Sequence, residues 1–294
     1  MKIKDGYVQV AQFKELNLLQ QIDTRKDEVV IEKSFMSERQ SIIHKELTVY
    51  IDPESLDGQQ FQFVTSTKRL LTFVQAEFAA NRQNEIVFAI RDFARICNRT
   101  GIPDLAKQVR SDLMMLNAIS IDVSTPKGNV KIKLFESFSV QYGTVTIQLS
   151  SDLFNTWKNR KGAMKLPLSY FTISARECSV AVDFLYYLSM IRFVGNKGQK
   201  HENTVSIKSL LMVSTLPSPE KARKTGNRSI KEKIYDRFFG AMHVMSAVTT
   251  PSYYLDDRII TEQSIIKLPH HDFVKINVHF EWSRSDSMGL KRAE

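Results

Sequence analysis

The sequence contains only two cysteines, Cys97 and Cys178, among 294 residues. Each falls in a segment with amphipathic helical periodicity, and neither a disulfide framework nor the paired spacing of a zinc site is present. No apolar run reaches the roughly 18 residues that a membrane-spanning helix needs. The amino terminus, MKIKDGYVQV, also lacks the basic and apolar regions of a secretory signal. These absences predict a soluble, cytoplasmic protein without a membrane partner.

Length and charge limit the architecture and the partner. With 294 residues the chain exceeds the size at which one hydrophobic core normally stops growing, so two domains are expected. Hydrophobic residues make up 43% and charged residues 25%, which is ordinary for a globular protein and suggests neither disorder nor a fibrous fold. The formal net charge of +9 favours an anionic partner such as nucleic acid, although an excess of this size also serves solubility.

One pattern occurs twice: a helix, a short apolar strand, two helices across a turn, and alternating strands. The last helix of each copy has its apolar residues at the same spacing, as Leu105, Val109, Leu113 and Leu116, then as Ile230, Ile234, Phe238 and Ala241. This pattern predicts an α+β fold of tandem winged-helix domains. We assign residues 1–60 to an N-terminal segment of uncertain structure, 61–162 and 163–283 to the two domains, and 284–294 to a frayed tail.

The first copy has clear helix signals. Ser66 or Thr67 is expected to cap its first helix. The turn that follows Arg91–Asn98 contains Gly101, which we expect to take a positive φ, and Pro103, which suits the first turn of the next helix. A helix, a turn with glycine and a second helix are typical of a helix-turn-helix.

The second of these helices, Asp104–Asn117, is the predicted recognition helix. Its exposed side carries Lys107, Gln108, Arg110 and Ser111. Arginine can read guanine and glutamine can read adenine, whereas serine and lysine can hold phosphates. An ordinary surface helix is the alternative.

A hairpin follows this helix. Ile119, Ile121 and Val123 alternate with polar residues, and the chain returns through Val130 and Ile132. We interpret this hairpin as the wing. The phosphate-binding residues predicted on it are Lys127, Asn129 and Lys131.

The second copy differs from the first in the turn between its two helices. The distance from Ile90 to Leu105 is 15 positions, but from Ile207 to Ile230 it is 23, so eight residues are inserted. The densest positive stretch of the chain lies here and predicts phosphate contacts; its candidate residues are Lys221, Arg223, Lys224, Arg228, Ser229, Lys231 and Lys233. Cations in the first turn of a helix oppose its dipole unless an anion is bound there. A solvated basic loop is the alternative.

Catalytic residues are scarce. His270 and His271 are adjacent, so on a strand they would point to opposite faces and could not chelate one metal together. Tyr253 and Tyr254 are the candidates for the nucleophile of a DNA-nicking enzyme, which would form a covalent adduct with DNA and use a divalent metal. We expect no enzymatic activity, no metal and no cofactor.

In organisation, residues Ser66–Trp282 resemble the plasmid and phage replication initiators built from two winged-helix domains. The resemblance rests on the unit Ile86–Asn117, the helix Ala175–Phe193, and the unit Val205–Met245 closed by Phe280-Glu281-Trp282. It implies binding to repeated origin DNA, opening of the origin, a homodimer, and a host initiator and helicase as partners. It also implies base or phosphate contacts by Gln108, Arg110 and Ser111 and by Arg228, Ser229, Lys231 and Lys233.

In such initiators the second domain usually dominates sequence reading, while the first contacts phosphates and mediates dimerisation. A winged-helix transcriptional repressor, which would bind a palindrome as a dimer, remains an alternative function. A metal-dependent nicking initiator using Tyr253 or Tyr254 is the other.

Overall fold

The structure is a computed structural model that describes residues 1–11, 14–22, 29–34, 37–44, 47–125, 128–159, 163–194, 203–217 and 231–283. The chain divides into two compact units. Unit 1 comprises Met1–Lys2 and Val8–Met164, and unit 2 comprises Ile3–Tyr7 and Lys165–Glu294. Both contain helices and strands, in agreement with an α+β fold.

The described part of the N-terminal 60 residues contains five strands, one helix and a 3₁₀ turn. These are β1 (Ile3–Lys4), β2 (Tyr7–Ala11), α1 (Lys14–Leu19), β3 (Val29–Ser34), β4 (Ser37–His44), β5 (Leu47–Ile51) and the turn Glu54–Leu56. The chain then forms α2 (Thr65–Asn81), β6 (Glu85–Ala89), α3 (Ile90–Ile96), α4 (Ile102–Asn117), β7 (Ile119–Thr125), β8 (Gly128–Lys133), β9 (Phe135–Gln141), β10 (Thr144–Leu149), α5 (Ser151–Asn159) and β11 (Ala163–Pro167). Strands β1, β2 and β11 form a three-stranded sheet.

A five-stranded antiparallel sheet joins the N-terminal segment to the predicted hairpin. Its order is β3-β4-β5-β7-β8, and Val49 on β5 pairs with Ile121 on β7. The side chains of both residues are buried. Strands β3 to β5 therefore belong to the fold of unit 1 and do not stand apart from it. The hairpin β7–β8 forms as predicted, but its partner is β5.

The sheet next to α4 is a different one. Strands β6, β10 and β9 form a three-stranded antiparallel sheet, in which β9 and β10 are joined by the two-residue turn Tyr142–Gly143. Helix α4 packs against α2, α3 and β9. Its predicted apolar face is confirmed, since Leu105, Val109, Leu113 and Leu116 are at most 4% exposed. The hairpin beside α4 is thus β9–β10 and not β7–β8.

Two predictions about helix ends in unit 1 are wrong. Gly101 has a φ of −75°, and the left-handed residue of the turn is Asn98, with a φ of +51°. Asparagine tolerates this conformation better than most residues with a side chain. Helix α2 has Val64 as its N-cap, without a side-chain capping bond. The Ser66 and Thr67 hydroxyls donate instead to the buried Asp112 carboxylate, which requires hydrogen-bond donors.

Unit 2 repeats the order of elements found in unit 1. Its elements are α6 (Ser169–Thr172), α7 (Ala175–Val194), β12 (Thr204–Ser206), α8 (Ile207–Val213), a π-helical turn (Lys231–Tyr235), α9 (Asp236–Met245), β13 (Thr249–Leu255), β14 (Arg258–Ile260), α10 (Glu262–Ile265), α11 (His270–Phe273) and β15 (Asn277–Trp282). The sheet order β12-β15-β13-β14 begins as β6-β10-β9 does in unit 1: the strand before the helix pair, then the last strand of the sheet in chain order, then a strand that lies between these two in the chain. The repeat predicted from the sequence is present in the topology of both units.

Each unit contains one tryptophan, and each tryptophan has a defined contact partner. Trp157 in unit 1 is 1% exposed, with its ring centroid 4.9 Å from that of Phe78. In unit 2 the Arg192 guanidinium lies 4.8 Å from the centroid of Trp282. Among the described residues, no helix combines the length and apolar character needed to cross a membrane. The predicted tail 284–294 lies outside the described residues.

Candidate nucleic-acid interface

Helix α4 leaves one polar face free of the core of unit 1. Lys107, Gln108 and Arg110 are exposed, and Ser111 and Met114 are half-buried. This face exists because the apolar residues of α4 recur at helical spacing and are all used against α2, α3 and β9. The side predicted for DNA recognition is therefore available to a partner.

An open groove of about 680 Å³ runs along this face. It is bounded by the segment around the 3₁₀ turn, by α4 and by β9. Its lining consists of Ser55, Asp57, Gln59, Lys107, Arg110, Ser111, Met114, Phe138, Ser139, Val140 and Gln141. Three of the four predicted residues of the recognition helix therefore lie together in one groove.

The groove carries more positive than negative charge. Lys107 and Arg110 supply two cations, and Asp57 supplies the only carboxylate among the lining residues. The Ser111 hydroxyl donates to Gln59 Oε1 at 3.2 Å, and Gln59 Nε2 lies 3.9 Å from Met114 Sδ. These contacts fix Gln59 and Ser111 beside the two cations. Fixed hydroxyl and amide groups next to mobile cations suit an anionic, hydrogen-bonding ligand.

A buried carboxylate lies directly behind this face. Asp112 is 4% exposed and its Oδ1 accepts hydrogen bonds from Thr67 at 2.7 Å and Ser66 at 3.1 Å. Burial raises the pKa of Asp112 to about 6, against the opposing effect of the hydroxyls and the Gln108 amide. The cluster ties α4 to the first turn of α2 and so holds the groove face in place.

Gln108 belongs to this cluster and not to the groove lining. Its Nε2 donates to Ser66 Oγ and to Asp112 Oδ1, both at 3.3 Å. Reading of adenine by a glutamine uses both its amide nitrogen and its oxygen, and here the nitrogen already has protein partners. The side chain is nevertheless exposed, so its predicted role in base contact stays a prediction.

Lys131, one of the three residues predicted on the first wing, contacts a tyrosine and does not line the groove. The Lys131 ammonium is 4.2 Å from the centroid of the Tyr50 ring, and the Tyr50 hydroxyl donates to Asp122 Oδ2 at 2.9 Å. Asn129 lies on β8, where it pairs with Ser124. Lys127 lies outside the described residues. The role of these three residues in binding phosphate stays a prediction.

The basic run of unit 2 is described only in part. Lys231 is exposed and Lys233 is half-buried, both in the π-helical turn before α9. The predicted contacts Lys221, Arg223, Lys224, Arg228 and Ser229 lie outside the described residues.

In unit 2, two of the four positions that correspond to the groove face of α4 are buried. In the shared apolar spacing, Tyr235 and Phe239 take the places of Arg110 and Met114, and they are only 4% and 5% exposed. The Tyr235 ring stacks on Phe273 of α11 with centroids 4.0 Å apart, and its hydroxyl donates to the Leu268 carbonyl oxygen. Glu232 and Asp236, at the places of Lys107 and Ser111, are exposed.

Sequence reasoning missed the contribution of β9 to the groove. Ser139 and Gln141 line the groove, and Tyr142 follows at the tip of the hairpin. The signal was the alternation of Phe138 and Val140 with polar residues, followed by Tyr142-Gly143 and a second alternating run. Such a pair of runs around a two-residue turn ending in glycine is typical of a hairpin.

The candidate catalytic residues do not form a recognisable active site. Tyr253 is 5% exposed and its hydroxyl donates to Glu262 Oε1 at 3.2 Å. Burial, with Glu262 nearby, raises the pKa of Tyr253 far above its ordinary range, which disfavours a phenolate nucleophile. His270 and His271 lie in helix α11 and not on a strand. Among the described residues, no cluster of three or more His, Cys, Asp or Glu side chains could hold a metal.

Comparison with known proteins finds similar solved structures but no matching family or curated sequence. No protein-family model and no curated protein sequence matches the chain. Two solved structures of domains 2 and 3 of RctB are similar in part. The first, from selenomethionine derivatives, is 6% identical with a TM-score of 0.45, covering 90% of this chain and 97% of that one. The second is 7% identical with a TM-score of 0.43, covering 91% and 96%.

Proposed function

We propose that the protein is a sequence-specific, double-stranded DNA-binding replication initiator with two winged-helix domains. The observation that carries this inference is the groove of unit 1, in which Lys107 and Arg110 of α4 stand beside the hairpin β9–β10. An α-helix with an exposed polar face fits the major groove of duplex DNA, and its cations can contact bases and phosphates.

The order of elements supports the winged-helix assignment. In unit 1, helix α2, strand β6, helices α3 and α4 and the hairpin β9–β10 follow one another, with β7–β8 inserted between α4 and β9. In this assignment β9–β10 is the wing of unit 1. Unit 2 has the same order, with β13 and β15 as the corresponding strands and β14, α10 and α11 between them.

The two units have different roles in our proposal. Unit 1 reads bases through α4, because its groove face is open. Unit 2 binds phosphates through the basic run between Lys221 and Lys233, because its counterparts of Arg110 and Met114, Tyr235 and Phe239, are buried. This reverses the expectation from the family resemblance, in which the second domain dominates sequence reading.

The arrangement of the sites on DNA distinguishes an initiator from a repressor. A palindrome mirrors the two-fold symmetry of a dimeric repressor, whereas the repeats of an origin follow one another in tandem. Origin opening, a homodimer, and recruitment of a host initiator and helicase are further parts of this proposal, taken from the family resemblance. Direct repeats of about 20 base pairs, two helical turns apart, near the gene would support it. Inverted half-sites confined to a promoter would support the repressor.

Charge reversal in the groove tests DNA binding. We expect Arg110→Glu to weaken binding to duplexes selected by the wild-type protein from a randomised pool by at least about tenfold, since it removes a cation and adds a repelling charge. Fluorescence anisotropy would measure the affinity. Lys158→Glu is the matched control, because Lys158 is exposed on α5 outside the groove lining. Equal affinities for Arg110→Glu and Lys158→Glu would overturn the assignment of the groove.

A further inference from the structure

The tip of the hairpin β9–β10 carries an aromatic residue in a conformation that disfavours it. Gln141 and Thr144 are register partners, so Tyr142 and Gly143 form a two-residue turn. Both have positive φ, +49° and +76°. Turns of this kind strongly prefer asparagine or aspartate followed by glycine, because a bulky side chain in the left-handed region is strained. Tyrosine at this position therefore calls for an explanation outside the turn itself.

The tyrosine side chain gains no burial in return. Tyr142 is fully exposed, at 105% of its reference area. It is the only described aromatic residue among the exposed large hydrophobic side chains. An aromatic ring wholly in water contributes nothing to the core of unit 1.

The tip is nevertheless held in a defined place. The Gly143 carbonyl oxygen accepts a hydrogen bond from the Ile90 amide at the start of α3, at 2.8 Å. The neighbouring residue Gln141 lines the groove together with Arg110. The structure thus presents an exposed ring on an anchored turn, next in the chain to a residue that lines the groove.

We infer that Tyr142 is an aromatic wedge that stacks on a DNA base and unstacks one base step beside the site read by α4. The inference rests on the proposed function. Exposed aromatic rings stack on bases of any sequence, and side chains inserted between base steps partly unstack and kink the duplex. An exposed ring on an anchored turn beside a cationic groove has this chemistry. It would give the protein a local means of loosening the duplex.

The substitution Tyr142→Asn separates the ring from the fold. Asparagine is favoured at this turn position, so the variant should unfold at the same or a higher temperature than the wild type. Tyr142→Phe keeps the ring and is the matched control. The probes are the duplexes selected by the wild-type protein from a randomised pool, each with one 2-aminopurine at successive positions, and the same duplexes with one mismatched pair.

We expect the wild-type protein and Tyr142→Phe to raise 2-aminopurine fluorescence at one base step. Both proteins should also bind more tightly to the duplex in which that step is mismatched, because unstacking a mismatched pair costs less free energy. Tyr142→Asn should lose both effects and about tenfold in affinity. Duplex binding by the wild type without any fluorescence change would overturn the wedge but not the proposed function. So would wild-type behaviour of Tyr142→Asn, which would point to a protein partner for the ring. Failure of the wild type to select any duplex would overturn both.

Discussion

Asp112 shows how a single residue links the core to the surface of unit 1. It lies on α4 between the groove face and the buried face, and the hydroxyls of Ser66 and Thr67 converge on its Oδ1. An unpaired buried carboxylate would be strongly unfavourable. The hydrogen bonds make the position tolerable but leave a pKa raised to about 6, mainly by burial.

The raised pKa of Asp112 predicts a dependence of stability on pH. Between pH values of about 4 and about 6 the folded protein binds more protons at this site than the unfolded chain, so wild-type stability falls as the pH rises through this window. Asp112→Asn can accept the same hydrogen bonds and does not titrate. Its stability relative to the wild type should therefore increase by about 2 to 3 kcal/mol between pH 4 and pH 7, measured by urea unfolding.

The truncation Asp112→Ala serves as the contrast. It leaves the Ser66 and Thr67 hydroxyls without their acceptor and should destabilise the protein at pH 4 by about 1 to 3 kcal/mol. Alanine does not titrate either, so its stability relative to the wild type should rise between pH 4 and pH 7 as that of Asp112→Asn does. Parallel pH profiles for the wild type and Asp112→Asn would contradict the raised pKa.

At the scale of elements, helix α11 packs on Tyr235, the residue of unit 2 that takes the place of Arg110. Phe273 is fully buried, and its ring centroid lies 4.0 Å from that of Tyr235 and 5.5 Å from that of Phe238. Phe273→Ala should destabilise unit 2 by about 3 to 5 kcal/mol, because it leaves a cavity between α9 and α11. Hydrogen exchange should become faster in α9 and α11.

Val274→Ala is the control for this substitution, because the neighbouring valine is only half-buried. It should cost about 1 kcal/mol or less. Exchange in α4 should stay unchanged in both variants. Equal destabilisation by the two substitutions would show that the Tyr235 stack contributes little.

The elements also show what the sequence could and could not predict. The apolar faces of α4 and α9 were predictable because the apolar residues of each helix, among them Leu113 and Phe238, recur at a local helical spacing. The role of each hairpin was not, since the pairing of Val49 with Ile121 joins distant parts of the chain and no local period specifies it. The burial of two positions of unit 2 that correspond to the groove face of α4 did have a local signal in the sequence. Tyr235 and Phe239 are aromatic where the first copy has Arg110 and Met114.

At the scale of the whole molecule, the net charge of +9 predicts salt-sensitive binding. Charge reversal of Lys221, Arg223 and Lys224 should make the dependence of log affinity on log salt shallower by about 2.7, since each lost phosphate contact changes the slope by about 0.9. Titrations at several salt concentrations would measure this.

The control for this experiment reverses Lys165, Arg258 and Lys267, which are exposed elsewhere in unit 2. The change in net charge is the same, so any difference reports the location of the charge. Equal slopes for the two triple variants would mean that the basic run makes no phosphate contacts.

The distribution of the two tryptophans, Trp157 in unit 1 and Trp282 in unit 2, has a practical consequence. Replacing either one with phenylalanine leaves a chain with a single tryptophan, whose selectively excited emission reports on one unit alone. Stopped-flow mixing of each variant with DNA would then time the response of each unit separately. Comparison of the two variants would show which unit responds to DNA first.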